Sequence, residues 1–108
     1  MGLLDKYETE LNTPLGQLAK RLAQNEYDLI FGLIQLRIES GLTQSDVAEV
    51  LGISQQAVAK FESMDSDPRL STISQYAMAI NALIYFEVKP FAKIGAHKNT
   101  KPSSRANA

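Results

Sequence analysis

Apolar side chains recur every three or four residues along most of this 108-residue chain, and they alternate with polar ones near its end. Helical spacing places apolar residues on one face, so the pattern predicts a mainly all-α fold of about five helices. The alternation predicts one short C-terminal β-strand. The predicted helices cover residues 14–25, 26–40, 44–51, 55–63 and 72–80, and the predicted strand covers residues 83–89.

Capping residues mark the ends of the two short central helices. Thr43 is a good N-cap, and Asp46 three residues later completes a variant of the capping box. Gly52 can adopt positive φ without strain, which suits a turn after the first of these helices. Ser54 then caps the second helix. Two short helices joined by a glycine turn are typical of a helix-turn-helix.

The second short helix presents polar or small side chains outward when Val58 and Phe61 face the core. A helix that reads bases in the DNA major groove needs such a surface. The sequence therefore predicts a DNA-binding surface on this helix and at the start of the preceding one. The candidate DNA-binding residues are Gln44, Ser54, Gln55, Gln56, Ala59, Lys60 and Ser63.

Several of these candidates suit a particular contact. The amides of Gln55 and Gln56 can bond adenine N6 and N7, Ala59 can contact a thymine methyl group, and Lys60 can reach guanine or phosphate. Gln44 begins a helix, where its side chain and the positive helix terminus both suit phosphate. The predicted recognition helix carries no arginine, so we expect A·T contacts to matter more than in arginine-rich readers.

The run GLTQSDVAEVLGISQQAVAKFE at residues 41–62 closely resembles the lambda-repressor-like, or XRE, helix-turn-helix family. The resemblance covers roughly residues 33–82, about half of the chain. It implies a DNA-binding domain. It also implies that Arg37 and Glu62 form a buried structural salt bridge and do not contact DNA.

The loop after this run departs from the family pattern. Many relatives have a glycine where this chain has Met64, and Asp65 and Asp67 follow it here. Acidic side chains near the DNA backbone repel phosphate. We therefore expect this loop to lie away from DNA or to weaken binding, and Arg69 is a doubtful phosphate contact.

The segment DPRLST at residues 67–72, followed by a helix and a short strand, resembles one branch of the family, the HigA-type antitoxins. That resemblance implies a homodimer that binds its own operator in double-stranded DNA and also holds a toxin, usually a small RNA-cleaving protein. Two alternatives stay open. One is a phage-type repressor or other small regulator without a toxin, and the other is a protein-interaction module that has lost DNA binding.

A single strand cannot satisfy its backbone hydrogen bonds within an otherwise helical chain. Residues 82–90 are therefore expected to pair with the same segment of a second copy or with the sheet edge of another protein, and a coil packed on the helices is the alternative. Residues 13–81 form the predicted helix-turn-helix domain, which includes an extra N-terminal helix. A weakly patterned lead covers residues 1–12, and a basic disordered tail covers residues 91–108.

Charge is divided unevenly along the chain. Residues 1–88 carry six basic and twelve acidic side chains, a balance of −6, while residues 89–108 carry five basic and no acidic ones. An acidic folded part argues against strong non-specific DNA binding. Affinity for DNA is therefore expected to rely on dimerisation, on helix N-termini that meet phosphates, or on the basic tail.

The composition offers little for catalysis. The chain has no cysteine and one histidine, His97 in the polar tail, so we expect no enzyme, no cofactor and no metal site. No run of 18 apolar residues exists, and the first ten residues lack the features of a signal peptide. We therefore expect no membrane association and a cytoplasmic location.

Overall fold

Residues 13–91 are described by a computed structural model, and their regular structure is entirely helical. The mainly all-α prediction is thus confirmed, although the described residues hold four helices and not five. Residues 1–12 and 92–108, which contain the predicted lead and nearly all of the predicted tail, lie outside the described residues. The helices are α1 (Pro14–Glu39), α2 (Gln44–Leu51), α3 (Gln55–Ser63) and α4 (Leu70–Ala79).

The two helices predicted before residue 40 are one continuous helix of 26 residues, α1. The predicted break near Asn25 was wrong because no glycine or proline interrupts the backbone there. Two side-chain hydrogen bonds at i, i+4 spacing instead span the part of the helix where the break was predicted. Arg21 Nε donates to Asn25 Oδ1 at 3.2 Å, and Gln24 Nε2 donates to Asp28 Oδ1 at 2.8 Å. The extra N-terminal helix is therefore the first half of α1.

The central pair of helices follows its predicted bounds and caps. Thr43 and Asp46 exchange both hydrogen bonds of a capping box at the start of α2. Gly52 ends α2 in the left-handed region at φ 69°, and Ser54 caps α3 by accepting from the Ala57 amide. Gly41 also has positive φ, at 77°, and ends the turn that follows α1. These local signals set the turn between α2 and α3.

All four helices contribute to one hydrophobic core. Val47 of α2 and Val58 of α3 are its most deeply buried side chains, each 1% exposed. The rings of Phe61 and Tyr76 stack with centroids 4.6 Å apart and join α3 to α4. The buried core cluster comprises Ile30, Leu33, Val47, Ala48, Val58, Phe61, Tyr76, Ala77 and Ile80.

The last helix starts two residues earlier than predicted. α4 begins at Leu70, so Ser71 lies inside its first turn and is not the N-cap; Arg69 occupies that position without a side-chain cap hydrogen bond. The Arg69 carbonyl instead accepts from the amides of Thr72 and Ile73 at 3.0 and 3.1 Å. The helix ends at Ala79, one residue before the predicted end, and Asn81 just beyond it adopts a left-handed φ of 60°.

The strand predicted over residues 82–90 is absent from the described chain. Residues 82–91 have no regular secondary structure, because a strand needs a hydrogen-bonded neighbour and no other described segment is extended beside it. Pairing with a second molecule stays a prediction.

The core predicts how one substitution acts on stability. We expect Val58→Asp to destabilise the fold by about 4 kcal/mol or more, because it buries a charge without a partner. Chemical denaturation followed by circular dichroism measures this. The control is Val50→Asp on α2, where the wild-type side chain is 62% exposed. If Val58→Asp were as stable as its control, the packing described for α3 would be wrong.

Candidate nucleic-acid interface

The carboxylate of Glu62 on α3 lies at the junction of the four helices. It forms a two-point ion pair with Arg37 of α1, in which Nε donates to Oε2 at 2.7 Å and Nη2 donates to Oε1 at 2.9 Å. Both side chains are largely buried, with 11% of Arg37 and 7% of Glu62 exposed. A paired guanidinium and carboxylate in this geometry form the strong class of charge-assisted hydrogen bond.

Two further side chains donate to the same carboxylate. The Tyr76 hydroxyl of α4 donates to Oε2 at 2.6 Å, and Gln44 Nε2 of α2 donates to Oε1 at 3.0 Å. The third nitrogen of Arg37, Nη1, donates to the Leu42 carbonyl at 2.7 Å and so holds the turn before α2. One buried carboxylate therefore connects all four helices. We call Arg37, Gln44, Glu62 and Tyr76 the Glu62 network.

Hydrogen bonding decides the charge state of this network. Burial alone raises the pKa of Glu62, but hydrogen bonds from Arg37, Tyr76 and Gln44 outweigh it, and the pKa is lower than its ordinary value. The hydrogen bond to Glu62 raises the pKa of Arg37. Burial, with the hydrogen bond to Glu62, raises the pKa of Tyr76. The network at neutral pH is thus a carboxylate, a guanidinium and a neutral phenol.

The N-termini of α2 and α3 meet beside this network. Gln55, the first residue of α3, donates from Nε2 to Gln44 Oε1 at 3.5 Å, a long and weak hydrogen bond. Ser45 of α2 donates from Oγ to Gln55 Oε1 at 3.2 Å. A chain of polar contacts therefore runs from the buried Glu62 carboxylate to the exposed amide of Gln55, and it limits how that amide can be oriented.

The predicted DNA-binding residues fall into two groups. Gln55, Gln56 and Lys60 are exposed on α3, and Ala59 between them is half-buried. These four form the outer face of α3, on the side away from Val58 and Phe61. We call Gln55, Gln56, Ala59 and Lys60 the outer face of α3.

The other three predicted residues have structural hydrogen bonds. Gln44 is half-buried in the Glu62 network. The Ser54 hydroxyl caps α3 at 3.1 Å from the Ala57 amide. The Ser63 hydroxyl donates to the Lys60 carbonyl at 2.7 Å and accepts from the Asp65 amide at 3.2 Å. Each of the three side chains therefore helps to shape the region where α2 and α3 begin and end.

Sequence reasoning missed the contacts of Ser45 and of the Tyr76 hydroxyl. The helical spacing of Tyr76 with Ile73, Ala77 and Ile80 predicts only that its side chain faces the core. A tyrosine in such a position usually finds a partner for its hydroxyl, and that was the available signal. For Ser45 there was no signal, because its contact with Gln55 depends on how two helices cross.

The two helix N-termini differ in charge. The Asp46 carboxylate accepts from the Thr43 amide at 2.8 Å, and that hydrogen bond lowers the pKa of Asp46. A negative charge thus already sits at the start of α2. The first turn of α3 has no acidic residue. The N-terminus of α3 is therefore the better of the two for a phosphate or a base edge.

Other kinds of site find little support in the part of the chain that the structure describes. Residues 13–91 contain no group of three or more side chains placed to hold a metal ion. None of the four helices is both long and apolar enough to cross a membrane.

Comparison with known proteins agrees with this geometry. A family model described as helix-turn-helix matches residues 33–83. Two curated relatives, both named Antitoxin HigA1 and from two strains of Mycobacterium tuberculosis, are each 42% identical over 60 residues. That stretch is 56% of this chain and 40% of each relative, so the chain spans less than half the length of these proteins. The search of solved structures gave no match.

The Glu62 network makes folding stability depend on pH. The pKa of Glu62 is lower in the folded state than its ordinary value of 4.5, so its stabilisation is complete above that value and is lost as the pH falls through the folded pKa. We expect Glu62→Gln to lower the free energy of unfolding by roughly 3 kcal/mol at pH 7, because Arg37 loses its charged partner there. We expect a clearly smaller loss at pH 3. Denaturant titrations at both values measure the difference.

The matched control for this measurement is Glu49→Gln on the exposed side of α2. It removes a carboxylate that makes no hydrogen bond to another described side chain, so we expect little change at either pH. If Glu62→Gln lost the same free energy of unfolding at pH 7 and at pH 3, the charge state assigned to the network would be contradicted.

Proposed function

We propose that this chain, whose residues 33–83 form an XRE-type helix-turn-helix domain, is a sequence-specific transcriptional regulator that binds a palindromic operator as a dimer. Repression by covering a promoter is the expected mode. The observation that carries the proposal is the outer face of α3, which is polar, exposed and supported from beneath by the Glu62 network. An α-helix of this kind fits the major groove of B-DNA.

The chemistry of the outer face suits base reading. Gln55 and Gln56 offer amide groups for the N6 and N7 edge of adenine, and Ala59 offers a methyl group to thymine. Because Ser45 and Gln44 already bond Gln55, this amide is partly oriented before DNA arrives. Orientation in advance lowers the entropy cost of forming a specific contact.

This surface offers few groups that can contact phosphate. Lys60 is the one cation of α3, and the start of α3 adds the partial positive charge of a helix terminus. A single domain with so few cations binds DNA weakly, so we propose that two domains bind together. Two recognition helices in a dimer reach half-sites about one helical turn, roughly 34–36 Å, apart.

We also propose that the regulator is the antitoxin of a toxin–antitoxin pair. This finer proposal rests on the 42% identity to proteins named Antitoxin HigA1. Because the shared stretch is 40% of each relative, the toxin-holding role is inferred from the name of the relatives and not from a contact in this structure.

The DNA-binding proposal predicts the effect of removing two amides. We expect Gln55→Ala/Gln56→Ala to weaken binding to the DNA upstream of its own reading frame by roughly 1–3 kcal/mol for each amide that pairs with a base. Both side chains are exposed, so the fold is expected to persist. A gel-shift titration at two salt concentrations measures this, because phosphate contacts make affinity depend on salt.

The control for that titration is Gln17→Ala, which removes an exposed amide from α1 far along the chain from α3. We expect its affinity to equal that of the wild type. If the double variant binds as tightly as Gln17→Ala, the DNA-reading surface lies elsewhere. No shift by the wild type at either salt concentration would favour a protein-binding role for the same fold.

The antitoxin proposal predicts a genetic result. A neighbouring reading frame for a small basic protein should arrest growth when it is expressed alone, and co-expression of this chain should restore growth. The two proteins should also co-purify. If the neighbouring protein does not arrest growth when it is expressed alone, the antitoxin proposal is wrong. The operator-binding proposal is unaffected by that result.

A further inference from the structure

A groove of about 410 Å³ lies between the middle of α1, the end of α3 and the start of α4. Its floor is apolar, because Ile30 and Phe61 belong to the buried core and Met64 packs against it. At its edges, Tyr27 is 51% exposed and Leu70 is 58% exposed. The described residues that line it include none from α2 or from the outer face of α3. A molecule bound in the groove would therefore leave the proposed DNA-binding surface uncovered.

The loop that departs from the family pattern forms one side of this groove. Met64, which stands where many relatives have a glycine, has a φ of 63°, and that left-handed conformation is costly for a residue with a side chain. Its side chain nevertheless lines the groove. Backbone strain is often retained at functional sites, and methionine suits adaptable binding surfaces. The feature that sets this chain apart from many relatives thus lies in the groove.

The edges of the groove are acidic. Glu26 of α1 and Asp67 of the loop both line it, and both side chains are exposed. Within residues 13–91, neither carboxylate forms a hydrogen bond or an ion pair with another side chain, although Arg69 is only two residues beyond Asp67. Asp65, in the same loop, adds a third exposed carboxylate. These carboxylates are therefore available to the cations of a partner.

The charge decides which class of partner suits the groove. Carboxylates at its edges repel the phosphates of DNA, RNA and anionic lipids. They also disfavour a second copy of this chain, whose residues 1–88 carry six basic and twelve acidic side chains. An apolar floor with negative edges complements an apolar segment that is flanked by lysine or arginine. The charge pattern thus favours a basic protein.

One wall of the groove has helical spacing. Ala23, Glu26, Tyr27 and Ile30 lie at i, i+3, i+4 and i+7 along α1, and all four line the groove. They form a stripe two turns long, about 11 Å. The small side chain of Ala23 lets a partner come close to α1 at one end of the stripe. A helix with apolar side chains at the same spacing matches such a wall.

We propose that the groove binds an amphipathic helix of a basic protein. Apolar side chains of that helix pack on Ile30, Phe61 and Met64, and its lysines or arginines lie beside Glu26 and Asp67. This inference goes beyond the proposed function, because operator binding does not use this surface and the partner need not be a toxin. Since the groove and the outer face of α3 are separate, the chain is able to hold the partner and DNA together.

A synthetic peptide tests the groove directly. The probe is a helical peptide of leucine and lysine, with leucine at i, i+3, i+4 and i+7, and the control peptide has the same composition in scrambled order. We expect the full chain to bind the probe roughly tenfold more tightly than the control in a fluorescence titration, because only the probe gathers its leucines on one face. Equal binding of the two peptides would reduce the interaction to charge attraction and overturn the inference.

Charge reversal tests the edges. We expect Glu26→Lys/Asp67→Lys to weaken binding of the probe at least roughly tenfold, because like charges then face each other across the contact. Both side chains are exposed, so the circular dichroism spectrum is expected to stay unchanged. The matched control is Glu39→Lys/Glu49→Lys, which makes the same change in net charge on exposed side chains outside the groove. An equal loss in both double variants would overturn the inference.

Met64→Gly gives the chain the residue that many relatives have at this position. We expect the fold to persist, because relief of the positive φ offsets part of the lost packing. The variant should bind the probe roughly fivefold more weakly, since one apolar contact in the groove is gone. In gel shifts on the upstream DNA it should match the wild type, because Met64 lies outside the outer face of α3. Unchanged affinity of Met64→Gly for the probe would contradict the assigned contact.

The two measurements separate this inference from the proposed function. A wild type that prefers the amphipathic probe but shifts no DNA would contradict the proposed function alone. A wild type that shifts DNA without preferring the probe would overturn the inference alone. Sedimentation adds a further test of the occupant: if Glu26→Lys/Asp67→Lys converted a dimeric wild type to a monomer, the groove would belong to a second copy and the inference would be wrong.

Discussion

The buried carboxylate of Glu62 holds the four helices in one arrangement. It sits on α3 and accepts from Arg37, Gln44 and Tyr76, which belong to the other three helices. A carboxylate buried without these donors would be strongly unfavourable, so its four hydrogen bonds are satisfied only when the helices take one arrangement. The apolar core supplies most of the stability, and the Glu62 network fixes how the helices are placed.

The same network shapes the surface proposed to meet DNA. Gln44 reaches inward to Glu62 and outward to Gln55, so the first residues of α2 and α3 are connected to the interior. The fold is thus able to present a rigid polar face even though its overall charge is unfavourable for binding DNA. The sparse cations of α3 make the proposed second copy important.

Local signals in the sequence predicted much of this arrangement. The caps at Thr43 and Ser54 and the glycine turn gave the correct bounds of α2 and α3, because those signals act within a few residues. The continuity of α1 was missed even though no glycine or proline lies near Asn25 to end a helix there. The four-way contact at Glu62 depends on how the helices cross in the tertiary structure, and the resemblance to a known family supplied only its pairing with Arg37.

Met64 was also unexpected. It ends α3 at a φ of 63°, which is costly for a residue other than glycine, and its side chain packs against the core.

The Glu62 network is proposed to hold the N-termini of α2 and α3 together as one DNA-binding surface. The most direct test is an NMR titration of the ¹⁵N-labelled chain with DNA from upstream of its own reading frame. We expect the largest amide shifts to cluster at residues 44–46 and 54–60, with the backbone amide of Glu62 among those that respond. Shifts centred on α1 or on residues 83–89, with the start of α3 unmoved, would contradict the claim.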